Sequence, residues 1–170
     1  MEIVISLGSN LGDRLGNLVQ ARGALEHLPR TRVLASSPVY ASDPVDCAPG
    51  SPEFLNAIVI LASGLDVRSF FDAMRQIEVR GGRSRGADRH AARSIDIDLI
   101  CWGARIVAEP DLQVPHPRAH VRRFVCQPLA DVRPALILPG QGQSLRAILD
   151  GLPLQPAVRR AAEQWPRFPS

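Results

Sequence analysis

Residues 93–100 read RSIDIDLI. Ile95, Ile97 and Leu99 alternate there with Asp96 and Asp98. A period of two marks a strand with one buried face, because successive side chains leave the backbone on opposite sides. The aliphatic residues then face a core, and the two carboxylates share the other face. Just upstream, residues 80–93 hold Arg80, Arg83, Arg85, Arg89 and Arg93 against Asp88 alone, a local charge of +4 in a chain of net +3. The basicity is therefore a patch, and all of it is arginine.

Working outward, EIVISLG (2–8) is a β-branched strand that ends in the turn GSNLGD. Leu15, Leu18, Val19, Leu25 and Leu28 recur at helical spacing, with Asp13 as N-cap and Pro29 as the stop. TRVLASSPVY is a second strand weakened at Pro38, and FLNAIVILAS (54–63) is a strong one. Asp66 caps a helix whose apolar face is Val67, Phe70, Phe71, Met74 and Ile77, and Gly81 and Gly82 end it. After RSIDIDLI come a short hairpin, a helix opened by Pro117 and interrupted at Pro128, a helix in SLRAILDGL, and a tail with Trp165. The order strand, helix, strand, strand, helix, strand predicts an α+β, ferredoxin-like sandwich. Its antiparallel sheet is expected to have helices packed on one face and a substrate cleft on the other. The whole chain, 1–170, reads as one domain. The tail beyond about residue 151 suits either a surface helix or a contact between chains.

With 170 residues, 45% of them hydrophobic, the chain can bury a sizeable core. No apolar run approaches the roughly 18 residues of a membrane span, so a cytoplasmic protein with no membrane partner is expected. Cys47, Cys101 and Cys126 are far apart and form no CxxC, which argues against a disulfide framework or a zinc knuckle.

Two acids on one strand face repel unless water, a proton or a cation intervenes. The pair alone fits a wet strand face as well as a magnesium site. The arginines shift the balance, because guanidinium groups bind phosphate oxygens in a bidentate way and magnesium combines carboxylates with phosphates. The combination suits phosphoryl transfer. GGRSRG (81–86) lacks the Lys and Ser/Thr of a P-loop, and no GxGxxG occurs. Phe54 and Asn56 share a strand face. A lone Phe is usually core, but a ring beside an amide also suits a flat heterocycle, and Phe124 offers a second ring. An RNA-binding module is disfavoured by the eight aromatic residues and by the acids on the sheet face. A regulatory domain that holds a nucleotide without turnover is the other alternative.

SLGSNLGDR, FLNAIVIL, IEVRGGRSRGADRHAARSIDIDLI and VPHPRAHVRRFV, in this order, resemble the 6-hydroxymethyl-7,8-dihydropterin pyrophosphokinases of folate biosynthesis, from about residue 3 to about residue 140. The resemblance implies diphosphoryl transfer from ATP to the pterin hydroxymethyl group with release of AMP. It implies that Asp96 and Asp98 ligate two magnesium ions on the ATP phosphates, and that Arg83 and Arg93 act with them in transfer. Glu78, Arg85, Arg93, His116 and Arg122 are the implied ATP contacts. Ser42, Val45, Phe54, Asn56 and Phe124 are the implied pterin contacts. It further implies a monomer with these two substrates and no nucleic-acid partner. Gly86, His90 and Pro117 depart from residues that some members carry.

Overall fold

The computed structural model describes residues 1–45, 47, 49–82, 93–162 and 164–166. The first strand, β1 (Glu2–Ser9), lies between β4 (Phe54–Ser63) and β5 (Asp96–Trp102), antiparallel to both. The β4 partner on the far side comes in two pieces, β2 (Thr31–Ser36) and β3 (Tyr40–Ser42), both antiparallel to it. Pro38 has no N–H to give a ladder, and it falls in this break. Ser37 bridges the gap. Its N–H donates to the Ile58 carbonyl at 2.9 Å, and its Oγ accepts from the Ile58 N–H at 2.9 Å.

Two helices cover one face, α1 (Arg14–Glu26) and α2 (Val67–Arg80). Their starts are fixed by the expected caps: Asp13 accepts from the Gly16 N–H and Asp66 from the Ser69 N–H, each at 2.9 Å. These bonds satisfy donors that the first turn of a helix leaves without intrahelical partners. Leu18 and Leu25 of α1 and Phe70, Met74 and Ile77 of α2 pack on Ile3, Ile5, Leu7, Val59 and Leu61. Ile95, Ile97 and Leu99 join this core, as the alternation requires.

The opposite face carries helices of its own. α3 (Arg123–Val132) and α4 (Leu145–Gly151) bury Val4, Ile58, Ile60, Ile100 and Cys101 in a second core with Val125, Leu129 and Leu149. The end of this face that carries Asp96, Gly8 and Asn56 lies outside that core. Pro128 does not interrupt α3. It is buried inside the helix; the bond its missing N–H forgoes is local, whereas the apolar packing of α3 on the sheet is extensive. Between α2 and α3, β6 (Val107–Ala108) and β7 (Gln113–Val114) form the expected hairpin.

The tail is a strand, not the surface helix that was one of its two expected forms. β8 (Val158–Arg160) extends the main sheet by pairing antiparallel with β3. Trp165 then donates its Nε1–H to the Ser37 carbonyl at 2.7 Å, closing the strand break from outside.

Candidate functional site

Strand register assembles the site. Asp96 stands opposite Gly8, Gly8 opposite Asn56, and Asn56 opposite Tyr40, while Asp98 stands opposite Ser6. Paired residues share a sheet face, so the acids and the amide stand on the same side of the sheet. The position between them has no side chain. A Cβ on Gly8 would stand 3.4 Å from Asn56 Oδ1, 3.6 Å from Phe54 Cδ1 and 3.9 Å from Asp96 Cβ. Glycine thus leaves a floor between the carboxylate end and the ring-and-amide end.

At the carboxylate end each acid meets an arginine. Arg93 Nη1 donates to Asp96 Oδ2 at 3.0 Å, and Arg122 Nη1 is 3.7 Å from Asp98 Oδ2. The guanidinium of Arg122 also lies 5.4 Å from the centre of the Phe124 ring, a cation–π contact that joins the two ends. Pairing with arginine offsets the mutual repulsion of the carboxylates. Among the described residues no cluster of three or more His, Cys, Asp or Glu forms a metal cage. Two strand carboxylates are nonetheless a fitting oxygen set for magnesium, which commonly completes its shell with phosphate oxygens and water.

His116 reaches this end through the backbone. Its N–H donates to the Ile100 carbonyl at 2.8 Å, and its Nδ1 accepts from the Arg118 N–H at 3.1 Å. Burial first, then the Arg122 and Arg118 charges, push the imidazole down to about 4. His116 is therefore neutral near pH 7, with the proton on Nε2 available to donate.

Glu78, expected on the adenine side, makes a backbone contact that the sequence did not announce. It is 4% exposed, and its Oε1 accepts from the Ile97 N–H at 2.9 Å, between the two aspartates. Its place is a brace from α2 to β5. Arg83 and Arg85 lie outside the described residues, as do Gly86 and His90. The ends of that segment are described: Ser94 Oγ donates to the Gly81 carbonyl, and a Cβ on Gly81 would come within 2.6 Å of Ile95 Cγ2. Gly81 thus permits the close approach of α2 to the start of β5.

At the other end, buried Ser42 accepts from Asn56 Nδ2 at 2.8 Å and stands opposite Phe54. Ser42, Asp43, Val45, Arg122 and Phe124 line a cavity of about 70 Å³. Phe54 and Asn56 are not part of its lining. The expected heterocycle residues thus form two neighbouring groups that meet at Ser42.

Asn10 was given no role by the sequence reading. It is buried, its Oδ1 accepts from the Arg93 N–H at 2.7 Å, its own N–H donates to the Arg93 carbonyl at 3.2 Å, and its Nδ2 donates to the Pro52 carbonyl at 3.3 Å. It joins the end of β1 to the segments before β4 and β5. The GSN turn was its only signal.

The sequence profile of the 7,8-dihydro-6-hydroxymethylpterin-pyrophosphokinase family matches residues 4–134. A 2-amino-4-hydroxy-6-hydroxymethyldihydropteridine pyrophosphokinase of Pseudomonas aeruginosa is 37% identical over 90% of this chain and 93% of its own. One of Helicobacter pylori is 36% identical over 75% of this chain and 78% of its own. A solved HPPK-DHPS chain in complex with substrates superimposes with a TM-score of 0.68 at 12% identity. That match covers 88% of this chain and 42% of the solved one, and it speaks for the fold alone. With the profile spanning both the Asp96–Gly8–Asn56 row and the two arginine partners of the acids, the chain belongs to the 7,8-dihydro-6-hydroxymethylpterin-pyrophosphokinase family.

Proposed function

We propose that the chain transfers a diphosphoryl group from ATP to the hydroxymethyl oxygen of 6-hydroxymethyl-7,8-dihydropterin, a step of folate biosynthesis. The pterin oxygen forms a bond to the β-phosphorus, and the bond from that phosphorus to the α–β bridging oxygen breaks. AMP leaves, and the hydroxyl proton passes to solvent. The observation that supports this reading is the row Asp96–Gly8–Asn56, with a carboxylate and an amide on either side of a glycine and Asp98 two residues along the same strand.

The reaction needs no protein nucleophile; orientation and charge neutralisation supply the rate. Asp96 and Asp98 would hold two magnesium ions with the nucleotide. Bound magnesium supplies positive charge to the phosphate oxygens. Arg93 and Arg122, which lie beside the acids, would contact phosphate oxygens of the nucleotide. The neutral imidazole of His116 can donate its Nε2–H to a phosphate oxygen without adding charge. Asn56 and Ser42 read the pterin edge, with Phe54, Phe124 and Val45 as its apolar contacts. Arg83 and Arg85 complete the phosphate set in this proposal. A one-domain monomer of the cytoplasm accompanies it; β8 supports the single domain, since it returns the tail to the main sheet.

The test is AMP release from ATP and the reduced pterin with magnesium. Asp96→Ala is expected to lower turnover about a thousandfold with an unchanged circular dichroism spectrum. Wild-type protein that forms no AMP would favour the alternative of a nucleotide-holding domain without turnover.

A further inference from the structure

The cavity beside Phe124 is closed on its outer side by a segment beyond residue 134, where the family match ends. Leu152, Pro153, Gln155, Pro156 and Val158 line it opposite Ser42, Val45 and Phe124. The segment is fastened at both ends. At its far end Val158 pairs with Ser42, the Asp43 N–H donates to the Ala157 carbonyl at 3.2 Å, and the Ala157 N–H donates to Asp43 Oδ2 at 3.2 Å. Further out, Glu53 receives Arg159 and lies 4.0 Å from Arg14.

At its near end Arg123 holds the turn out of α4. Nε donates to the Pro153 carbonyl at 2.8 Å, and Nη2 donates to the Leu152 carbonyl at 2.8 Å and to that of Leu149 at 3.2 Å. The last carbonyls of a helix have no intrahelical partner, and a guanidinium there meets both their hydrogen-bonding need and the negative end of the helix dipole. Arg123 is also the residue immediately before Phe124. One side chain thus sets the distance between the ring and the wall that faces it.

We propose that the segment Leu152–Val158 is the outer wall of the heterocycle-side pocket, and that Arg123 is the positioning residue that holds this wall against Phe124. The proposal rests on the pterin reading of that pocket. The wall is apolar at Leu152, Pro153, Pro156 and Val158 and carries no charge, with Gln155 its one polar side chain, so it suits the flank of a flat ring better than a triphosphate. Its influence should fall on the pterin and spare ATP.

Arg123→Met keeps the length of the side chain and removes its donors. It is expected to raise the KM and the calorimetric Kd for the pterin about tenfold, the equivalent of one or two lost hydrogen bonds. The KM for ATP and kcat at saturating pterin should stay within about twofold. Arg123→Lys, which keeps a charged donor, should recover part of the loss. In wild-type protein, pterin should slow hydrogen exchange at the Ala157 amide, a readout that holds if the variant fails to fold. An unchanged pterin Kd in a folded Arg123→Met protein, a parallel rise in both KM values, or Ala157 exchange indifferent to pterin would each overturn the proposal. Wild-type protein that binds no pterin would instead overturn the functional reading on which it rests.

Discussion

Glu78 separates two explanations of the same residue. The family resemblance makes it a contact near adenine, whereas the structure makes it the acceptor for the Ile97 N–H. Among the described residues β5 is an edge strand, paired with β1 on one side only, and the Ile97 N–H points away from the ladder and into the space under α2. With Glu78 4% exposed, no water replaces it there. Replacing it with leucine, of similar bulk, would leave a buried donor without an acceptor, at about 2 kcal/mol. For a chain of this size that is a fall in Tm of about 4–8 °C. Glu78→Gln keeps an oxygen at the same reach and should lose at most about half as much. Thermal unfolding of the two variants beside their KM for ATP is the assay. On the bracing explanation, Leu lowers Tm and weakens turnover through misplaced Asp96 and Asp98, while Gln leaves the KM for ATP within about twofold. A Gln variant with unchanged Tm and a KM for ATP raised tenfold or more would refute the brace and restore the nucleotide contact.

Other expectations follow from the same geometry. Gly8→Ala places a methyl in ordinary contact with Asn56 and Phe54, so Tm should hardly move, while the KM for the pterin rises about tenfold through crowding of the cleft floor. Tyr40→Phe removes the hydroxyl that donates to Asp131 Oδ2 at 2.7 Å, tying β3 to α3; denaturant unfolding should show a loss of about 1 kcal/mol with kcat unchanged. His116 titrates near 4 in the folded protein and near its ordinary 6.5 when unfolded. Between those values the unfolded chain binds more protons, so stability must fall as pH falls from about 6.5 to about 4. With Arg122 and Arg118 opposing the proton and Asp96 favouring it, His116→Gln should flatten that part of the Tm–pH curve; an identical slope would contradict the assignment.

Local patterns survived folding where one rule acted alone. The Ile95–Leu99 alternation placed the strand, its buried face and both carboxylates, because a side-chain period of two leaves no other packing. Asp13 and Asp66 declared their helices because a cap is a contact within three residues. Pro128 misled because its local penalty competes with burial that depends on the distant sheet. β8 was illegible because three residues, two of them exposed arginines, carry no periodicity; its state is set by β3, more than a hundred residues earlier. Glu78 looks like any acid on a helix until the edge of β5 is laid beside it.

That edge position links the fold to the site. An edge strand presents unpaired N–H and C=O groups that must be covered. Here the covering groups belong to the site: Glu78 takes the Ile97 N–H, and the His116 N–H takes the Ile100 carbonyl. Between these attachments Asp96 and Asp98 share one face of a strand held on its β1 side by the ladder and on its outer side by α2 and the His116 loop. The register shift between Val4 and Ile5 gives β5 one extra residue, Ile100, whose side chain enters the second core while its carbonyl holds His116. An interior β5 would offer neither free backbone group, and the imidazole would need some other route to the carboxylate end. The placement of β5 at the edge is therefore what lets one strand carry two acids, a brace and a histidine anchor within five consecutive residues.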